Sequence, residues 1–410
     1  MDKERIQRIY PWIVVALLSV VAFLNYLDRQ MLSTMQEAIG RDISELQQAQ
    51  NFGRLMAIFL WIYAIVSPFA GSIADRLSRK WLIVGSLGIW SLVTLLMGHC
   101  SNFTQMYWLR GLMGVSEALY IPSSLSLIAD YHSGKSRSLA VGLHMTGLYL
   151  GQAVGGFGAI FASALSWRMT FQWFGIIGVL YAVVLAFLLK EKRISLKEES
   201  PSAPKVAREG ILKSFGLIFS NIAFWVILFF FASTSLPGWA TKNWLPTLFS
   251  QHLDGGMAVA GPVATITIAL ASFIGVMVGG PLSDRWVKKN LKGRIYTSAI
   301  GLGMMIPALV LMGLGKGLVP AIVSGLVFGL GYGMFDTNNM PILCQFVPSR
   351  LRATAYGFMN MTGVAMGALC TQILGKIPNL GLSFAILGGV TAIALILQLT
   401  ILRPTTDDMQ

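Results

Sequence analysis

Long apolar runs constrain the fold of this chain more than any other feature of its sequence, and twelve of them are long enough to be membrane-spanning helices. The apolar core of a bilayer is about 30 Å thick, which an α-helix crosses in about 20 residues. Lipid offers no hydrogen-bond partner to a free backbone N–H or C=O group, so each run is expected to be helical. Only 12% of the residues are charged, against about 25% in soluble domains. The composition therefore excludes a water-soluble enzyme.

The predicted spans fall into two sets of six. The first set covers residues 12–35, 52–74, 81–100, 104–128, 138–163 and 170–189, and the second covers 214–249, 258–282, 294–314, 318–345, 352–375 and 380–402. Segment 190–213 contains prolines and many charges of both signs, which is typical of a polar linker. We therefore predict an all-α membrane protein with one six-helix bundle in 1–189, a cytoplasmic linker in 190–213 and a second six-helix bundle in 214–410.

Lysines and arginines are concentrated in the loops on one side of the predicted membrane, the side that carries both termini and the linker. Cytoplasmic loops carry such an excess, so both termini are predicted to be cytoplasmic. The same distribution accounts for the net charge of +13 without a nucleic-acid partner. The first run, 12–35, is too long for a signal peptide and shows no small-residue cleavage site, so we expect it to be retained as a span.

Side chains that carry enzyme or metal chemistry are few. The three cysteines lie in apolar runs without paired spacing, which is typical of buried residues rather than of disulfides or metal ligands. None of the four histidines is spaced as a ligand pair with another histidine or a cysteine. The glycine-rich runs do not follow strands, which indicates helix packing rather than nucleotide binding. We therefore expect no catalytic residue, no metal and no cofactor.

Two sequence strings occur once in each set of spans. Gly71-Ser-Ile-Ala-Asp75-Arg76 after span 2 matches Gly280-Pro-Leu-Ser-Asp284-Arg285 after span 8. Segments 137–147 and 352–363 share Arg-x-x-Ala-x-Gly followed by Met-Thr-Gly. Matches at similar offsets indicate an internal duplication. In transporters, duplicated six-span units enclose a substrate site near the bilayer midplane.

Together these features resemble the major facilitator superfamily. The loop after span 2 reads Gly71-x-x-x-Asp75-Arg76-x-Ser78-Arg79-Lys80, which is similar to the loop 2–3 motif of that family, with a degenerate copy after span 8. The resemblance covers essentially the whole chain and implies two pseudo-symmetric six-helix bundles. It also implies charge contacts between helix ends that control conformational change. The residues implied in this gating are Asp75, Arg76, Arg79, Asp284 and Arg285.

Three shorter strings narrow the resemblance. They are Asn25-Tyr26-Leu27-Asp28-Arg29 in span 1, Arg110-Gly-Leu-Met-Gly114-Val-Ser-Glu117 in span 4 and Asn243-Trp244-Leu245-Pro246-Thr247 in span 7. Together they resemble the anion:cation symporter branch, which includes bacterial hexuronate, galactonate and glucarate carriers. The resemblance implies a monomer in the bacterial cytoplasmic membrane. Its implied activity is proton-coupled symport of a small organic anion, such as a hexuronate, aldonate, aldarate or sialate, by alternating access.

The same resemblance is compatible with other functions. The spinster branch shares the strings of spans 1 and 4, so a carrier of lysophospholipids is the main alternative. A signalling receptor or scaffold on the same fold is a third, against which the intact loop motifs argue. Gln152 stands where drug exporters of this family have a proline, which argues against a drug:proton antiporter. Sodium is not excluded as the driving ion.

Few charged residues lie well inside the predicted spans. A charge at the bilayer centre costs roughly 2.5–3.5 kcal/mol even on insertion scales, so these side chains are expected to face the protein interior. They are the acids Asp28, Glu117 and Asp336 and the bases Arg29, Arg110 and Lys242. Asp28 and Arg110 have similar depths, and Glu117 lies two turns from Arg110 on the same helical face. We therefore predict a network of Asp28, Arg110 and Glu117.

The two acids of this network, Asp28 and Glu117, are predicted to carry the coupled protons. Desolvation and a neighbouring guanidinium act in opposite directions on the proton affinity of a carboxyl group. Arrival of a substrate anion at the arginine can therefore change which effect prevails. The alternative is a static ion pair that holds spans 1 and 4 together.

Arg29 is the strongest candidate for binding the substrate, because its planar guanidinium can bind a carboxylate through two hydrogen bonds. Asn25 and Tyr26 precede it by about one turn and are expected to share its face. The alternative is that Arg29 pairs only with Asp28 or Glu117. The further candidates for substrate binding are Arg110, His144, Tyr149, Gln152, Lys242, Asn243, Asp336, Asn339 and Asn360.

For three of these candidates, a purely structural role is the alternative to substrate binding. His144 is equally compatible with a buried neutral histidine. Lys242 lies near the end of span 7, where lysines commonly extend to the lipid headgroups. Asp336 is compatible with a cap on a helix that breaks near Pro341.

Overall fold

The computed structural model describes residues 3–132, 135–191, 219–220, 222–347 and 352–404. Within these ranges the regular structure is helical, with no β-strand. Most of the predicted linker, 192–213, and the predicted start of span 7, 214–218, lie outside the described residues. The division of the chain into two domains at these boundaries therefore stays a prediction.

The first set of helices corresponds to the first six predicted spans. In chain order it comprises α1 (Lys3–Thr34), α2 (Gln36–Asp42), a 3-10 helix (Ser44–Gln47), α3 (Ala49–Arg76), α4 (Arg79–Met97), α5 (Phe103–Ala118), α6 (Tyr120–Tyr131), α7 (Lys135–Gly155), α8 (Gly158–Leu165) and α9 (Trp167–Leu188). α5 and α6 together form one span, and α8 continues α7 after a bend of 53°.

The second set corresponds to the last six predicted spans. It comprises α10 (Ile222–Ser250), α11 (Gly256–Val287), α12 (Gly293–Leu314), α13 (Leu318–Asp336), α14 (Asn339–Phe346), α15 (Arg352–Leu374) and α16 (Leu380–Ile401). α13 and α14 form one span that breaks after Asp336. The observed helix ends lie within about five residues of the predicted ones where both are described, except that α1 begins at Lys3 and not at residue 12.

The described residues contain ten segments that are helical, long and apolar enough to cross a membrane. The bent pair of α7 and α8 is an eleventh if it is taken as one span. The sequence predicted twelve. The predicted span that is not among these eleven is α15. Its 23 residues include Asn360, Thr371 and Gln372, and it packs against α3 and α10. Its contacts with two neighbouring helices explain how a less apolar helix is accommodated in the bundle.

Glycines bring α1 and α7 into direct backbone contact. Gly147, Gly151 and Gly155 repeat every fourth residue of α7, and a Cβ atom at each would collide with atoms of α1. Small residues at this spacing let helices approach closely in membranes. In the second set, Gly363 and Gly367 of α15 pack in the same way against aromatic rings of α10. The strings matched in the sequence therefore occupy corresponding helix contacts.

Replacing Gly151 by alanine is expected to lower stability by about 1–3 kcal/mol, the usual cost of overpacking a close-packed interior. The added Cβ would meet the backbone carbonyl of Phe23, which cannot move aside as a flexible side chain does. The matched control is Gly142→Ala in the same helix, where a Cβ meets no atom within 4 Å. Thermal unfolding of both variants in detergent measures the effect, and equal midpoints would contradict the packing argument.

We call the end of the bundle at which α1 begins the near end, and the end at which α1 finishes the far end. The two sets of helices make several contacts at the far end. Gln30 of α1 donates to the carbonyl of Lys242 in α10 at 3.0 Å, and Thr265 of α11 donates to the carbonyl of Ala153 in α7 at 3.2 Å. These hydrogen bonds join the two sets at the far end.

Candidate functional site

A cavity of about 280 Å³ lies between the two sets of helices. Its volume is near the lower end of the range for small-molecule pockets, about 300–1,000 Å³. Helices of both sets form its wall: α1, α3, α6 and α7 from the first, and α10, α11, α13, α14 and α15 from the second. The charged side chains of this wall are Arg29, Lys242 and Asp336. Its neutral hydrogen-bonding side chains include Tyr26, Tyr63, Tyr149, Gln152, Ser235, Trp239, Tyr332, Asn339, Tyr356 and Asn360.

Arg29 lines the cavity and forms an ion pair with Glu117 of α5. Its Nε donates to Glu117 Oε2 at 2.5 Å, and Glu117 is fully buried. Its guanidinium carbon lies 5.0, 4.7 and 5.2 Å from the ring centroids of Tyr26, Phe59 and Tyr63. Among the described residues, Arg29 Nη2 and Glu117 Oε1 have no hydrogen-bond partner. The ion pair named as the alternative for Arg29 is thus present, and one edge of the guanidinium is still unpaired.

Arg110 does not pair with an acid as the sequence had predicted. Its Nη1 contacts Met113 Sδ at 2.8 Å and its guanidinium carbon lies 4.6 Å from the Phe59 ring centroid, but no carboxylate of the described residues lies within 4.0 Å. Asp28, Arg110 and Glu117 lie close enough to interact electrostatically, but the direct ion pair of Glu117 is with Arg29 rather than with Arg110. Arg110 instead borders a small void of about 30 Å³ that shares Arg29 and other wall residues with the main cavity.

Asp28 is buried inside the first set of helices and does not line the cavity. It is 4% exposed, and its Oδ2 accepts a hydrogen bond from Thr94 Oγ1 of α4 at 3.2 Å. Its Oδ1 has no hydrogen-bond partner among the described residues. An unpartnered buried carboxylate oxygen is unusual in a folded protein and needs a specific explanation.

Asn25 is also buried away from the cavity, which corrects its predicted place in the substrate site. It is fully buried, and neither polar atom of its amide has a described partner. A helix turns by about 100° per residue, so Tyr26 and Arg29 can face the cavity while Asn25 turns into the first set. The predicted polar stripe of three residues on α1 is reduced to Tyr26 and Arg29.

Lys242 faces the cavity rather than the lipid headgroups. Its Nζ lies 4.9 Å from the ring centroid of Trp239 and 5.4 Å from that of Tyr332, which are cation–π distances. Among the described residues no carboxylate lies within 4.0 Å of its nitrogen. Lys242 is therefore a base of the cavity wall whose charge is not neutralised by a direct ion pair.

Asp336 lies at the break between α13 and α14 and is exposed to the cavity. Its Oδ1 accepts a hydrogen bond from Asn339 Nδ2 at 3.1 Å. This bond joins two side chains across the break and is not a helix cap, because it does not reach a backbone N–H group of α14. Asp336 lines the wall, and its role in substrate binding stays a prediction. Asn360 lines the wall as predicted, and its Nδ2 donates to Ser67 Oγ of α3 at 2.7 Å.

The remaining substrate candidates divide between wall and interior. Tyr149 and Gln152 line the cavity, and Asn243 lines the small void while it donates to Thr371 Oγ1 at 2.8 Å. His144 is fully buried, with its Nε2 atom 3.5 Å from Ser124 Oγ, and it does not line the cavity. It is therefore a buried histidine, as the alternative to substrate binding had stated.

Several aromatic residues of the wall were not predicted from the sequence. They are Tyr63, Phe231, Trp239, Phe328, Tyr332 and Tyr356. An aromatic residue in an apolar run can face lipid, the protein core or a cavity, so its position in the sequence does not predict which of these it contacts. The one available signal was that Trp239 and Tyr332 lie on the same spans as Lys242 and Asp336.

The predicted gating residues are only partly described. Arg79 forms an ion pair with Asp130 at the end of α6, and the Arg79 backbone N–H donates to Glu191 at 2.8 Å. Asp284 pairs with Arg294 at 3.0 Å, while Arg285 is exposed. The side chains of Asp75 and Arg76 lie outside the described part of the structure.

Comparisons with known proteins agree with this architecture. A family model described as Major Facilitator Superfamily matches residues 18–371. The chain is 25% identical to the "Hexuronate transporter" of Bacillus subtilis (strain 168), over 95% of this chain and 94% of that protein. It is 26% identical to "Protein spinster homolog 1" of Xenopus laevis, over 73% of this chain and 59% of that protein.

Solved structures share the fold. A bacterial homolog to the human lysosomal transporter Spinster, crystallised in an inward-facing and unoccupied conformation, superimposes with a TM-score of 0.75. The superposition covers 95% of each chain at 19% sequence identity. At that identity the likeness extends to the fold and not to the solute.

Proposed function

This chain belongs to the Major Facilitator Superfamily, and we propose that it imports a small hydroxylated organic anion, such as a sugar acid, together with protons. It is a multi-pass membrane transporter and not an enzyme. The observation that carries the proposal is Lys242, a base in the cavity wall without an ion-pair partner among the described residues. A cation of this kind is available to a substrate carboxylate.

The rest of the cavity wall suits a hydroxylated solute. Amide and phenol groups from both sets of helices face the cavity, including those of Gln152, Asn339, Tyr149 and Tyr332. Each can exchange hydrogen bonds with a hydroxyl group. A pocket of mainly apolar surface with a few polar groups at fixed places is typical of specific small-molecule sites.

Proton coupling is proposed to act through the pair of Arg29 and Glu117. With Glu117 ionised, Arg29 is held by that acid. Protonation of Glu117 weakens this ion pair and frees the guanidinium, which then joins Lys242 in binding the substrate carboxylate. Asp28, with one unpartnered oxygen, is proposed to carry the second proton. Proton and anion would then enter the site together.

Transport is proposed to proceed by alternating access of this cavity to the two membrane faces. The excess of basic residues in the near-end loops predicts that the near end is cytoplasmic, in the inner membrane of a bacterium. The far-end contacts between α1 and α10 and between α7 and α11 then close the outer side. The ion pairs of Arg79 and Asp284 at the near end are proposed to rearrange as the cytoplasmic side opens and closes.

Uptake into proteoliposomes tests this proposal. We expect labelled glucuronate and galactonate to accumulate when the outside is more acidic than the inside, and a protonophore to abolish this accumulation. Protein-free liposomes are the control. Absence of uptake for every sugar acid, with or without a gradient, would contradict the proposed function.

Lysophospholipid transport is the second candidate, because the chain resembles spinster proteins in sequence and fold. The charged and amide groups of the wall and the volume of about 280 Å³ favour a compact polar solute over a lipid with a long acyl chain. Transfer of labelled lysophosphatidylcholine in the same proteoliposomes, without sugar-acid uptake, would instead support the lipid carrier.

A further inference from the structure

We propose that the cavity selects hydroxylated monocarboxylates and rejects dicarboxylates of the same length, because Asp336 faces the other terminus of a substrate whose carboxylate is bound at Lys242. This inference rests on the proposed function, namely that the cavity binds a hydroxylated organic anion.

The basic and acidic side chains of the wall are separated along α13. Lys242 Nζ lies 5.4 Å from the ring centroid of Tyr332, and Asp336 follows Tyr332 by about one turn of α13. Residues four apart lie on the same helical face, and one turn advances the helix by about 5.4 Å. Within the described residues Lys242 and Asp336 form no ion pair at 4.0 Å or less. The cavity wall therefore has a basic place at Lys242 and an acidic place at Asp336, more than 4.0 Å apart.

A six-carbon sugar acid is long enough to extend from one place to the other. An extended covalent chain advances roughly 1.2 Å per bond, so the first and sixth carbons of such an acid lie about 6 Å apart. A carboxylate bound at Lys242 thus brings the sixth carbon beside Asp336 when the chain follows α13 towards the near end.

Asp336 can bind a hydroxyl group but not a second carboxylate. Its side chain is exposed to the cavity, and it already accepts one hydrogen bond from Asn339 Nδ2 at 3.1 Å. An ionised carboxylate only accepts hydrogen bonds, so a terminal CH2OH group finds a partner there. A terminal carboxylate would instead face a like charge, which is strongly unfavourable in a desolvated site. The other base of the described wall, Arg29, lies on the opposite set of helices and is proposed to join Lys242 at the first carboxylate, so it does not serve the second one.

Gluconate and glucarate form a matched pair for testing this inference, because they differ only in the oxidation state of the sixth carbon. We expect the purified wild-type protein to bind gluconate at least about tenfold more tightly than glucarate in thermal-shift titrations. Asp336→Asn should bring the two affinities to within about threefold, since the amide removes the like charge but keeps the shape. Asp336→Ser, which removes the same charge with a smaller side chain, should also bring the two affinities together. The control is Asp254→Asn, an exposed acid of the far-end loop.

Each outcome decides the inference. Equal binding of gluconate and glucarate by the wild type, or an unchanged ratio in Asp336→Asn, overturns the inference while the proposed function stands. If Asp336→Asn binds neither acid because it is misfolded, Asp336→Ser decides, and an unchanged ratio in that variant overturns the inference. Failure of the wild type to bind any sugar acid overturns the proposed function together with the inference.

Discussion

Glu117→Gln is expected to abolish accumulation of the solute driven by a pH gradient while solute counterflow stays measurable. The glutamine cannot release or take up a proton, yet its side-chain oxygen can still accept a hydrogen bond from Arg29 Nε, which is bound to Glu117 Oε2 in the wild type at 2.5 Å. Binding and exchange of the solute therefore persist, whereas coupling to the proton gradient is lost. Uptake with and without a gradient, in the same proteoliposomes, separates the two activities.

The control for Glu117→Gln is Glu45→Gln, an exposed acid in the 3-10 helix at the far end. It removes the same chemical group at a place that contacts neither the cavity nor Arg29. Gradient-driven accumulation by Glu117→Gln at the wild-type level would falsify the coupling role of this residue. Loss of both accumulation and counterflow would show that Glu117 supports the fold or the substrate site and not coupling alone.

Lys242→Gln is expected to weaken binding of the organic anion by at least about 30-fold. Truncating one partner of a desolvated charge pair costs about 2–5 kcal/mol, and each 1.4 kcal/mol is a factor of about ten in affinity. Glutamine keeps part of the packing against Trp239 and Tyr332 but removes the charge. Thermal-shift titration with gluconate and glucuronate measures the change.

Lys376→Gln, an exposed lysine at the far end between α15 and α16, is the matched control for Lys242→Gln. We expect it to bind the anion as the wild type does. If Lys242→Gln also retains wild-type affinity, Lys242 is not the anion anchor and the site must rely on Arg29. Arg29 itself cannot be removed cleanly, because breaking a buried ion pair leaves Glu117 as an uncompensated charge at a cost of about 3–5 kcal/mol.

Most of the fold was predictable from the sequence. The lengths of the apolar runs and the loop charges between them anticipated helices such as α4 (Arg79–Met97) and α12 (Gly293–Leu314) within a few residues. One helix break was harder to predict. The bend between α7 and α8 falls in an apolar, glycine-rich run, so hydropathy alone does not mark it. The break between α13 and α14 falls in the polar residues 336–339, close to Pro341, where the sequence had already suggested a broken helix.

The candidate site was only partly predictable. Arg29, Gln152, Lys242, Asp336 and Asn360 line the cavity as expected. Asn25 and His144 are buried inside the first set instead, and their polar character alone could not distinguish a cavity wall from a polar helix contact. The aromatic residues of the wall were missed because tyrosine and tryptophan are common everywhere in membrane helices.

The sequence by itself determined that this chain spans a membrane many times, that its two halves are related and that a few charges must lie inside. These conclusions follow from bulk transfer energies and from repeats, which need no coordinates. Only the tertiary structure decided that Glu117 pairs with Arg29 rather than with Arg110, and that Lys242 is without an acid within 4.0 Å among the described residues. Such pairings depend on the rotation of each helix and on neighbours from other helices, and a shift of one residue turns a side chain by about 100°.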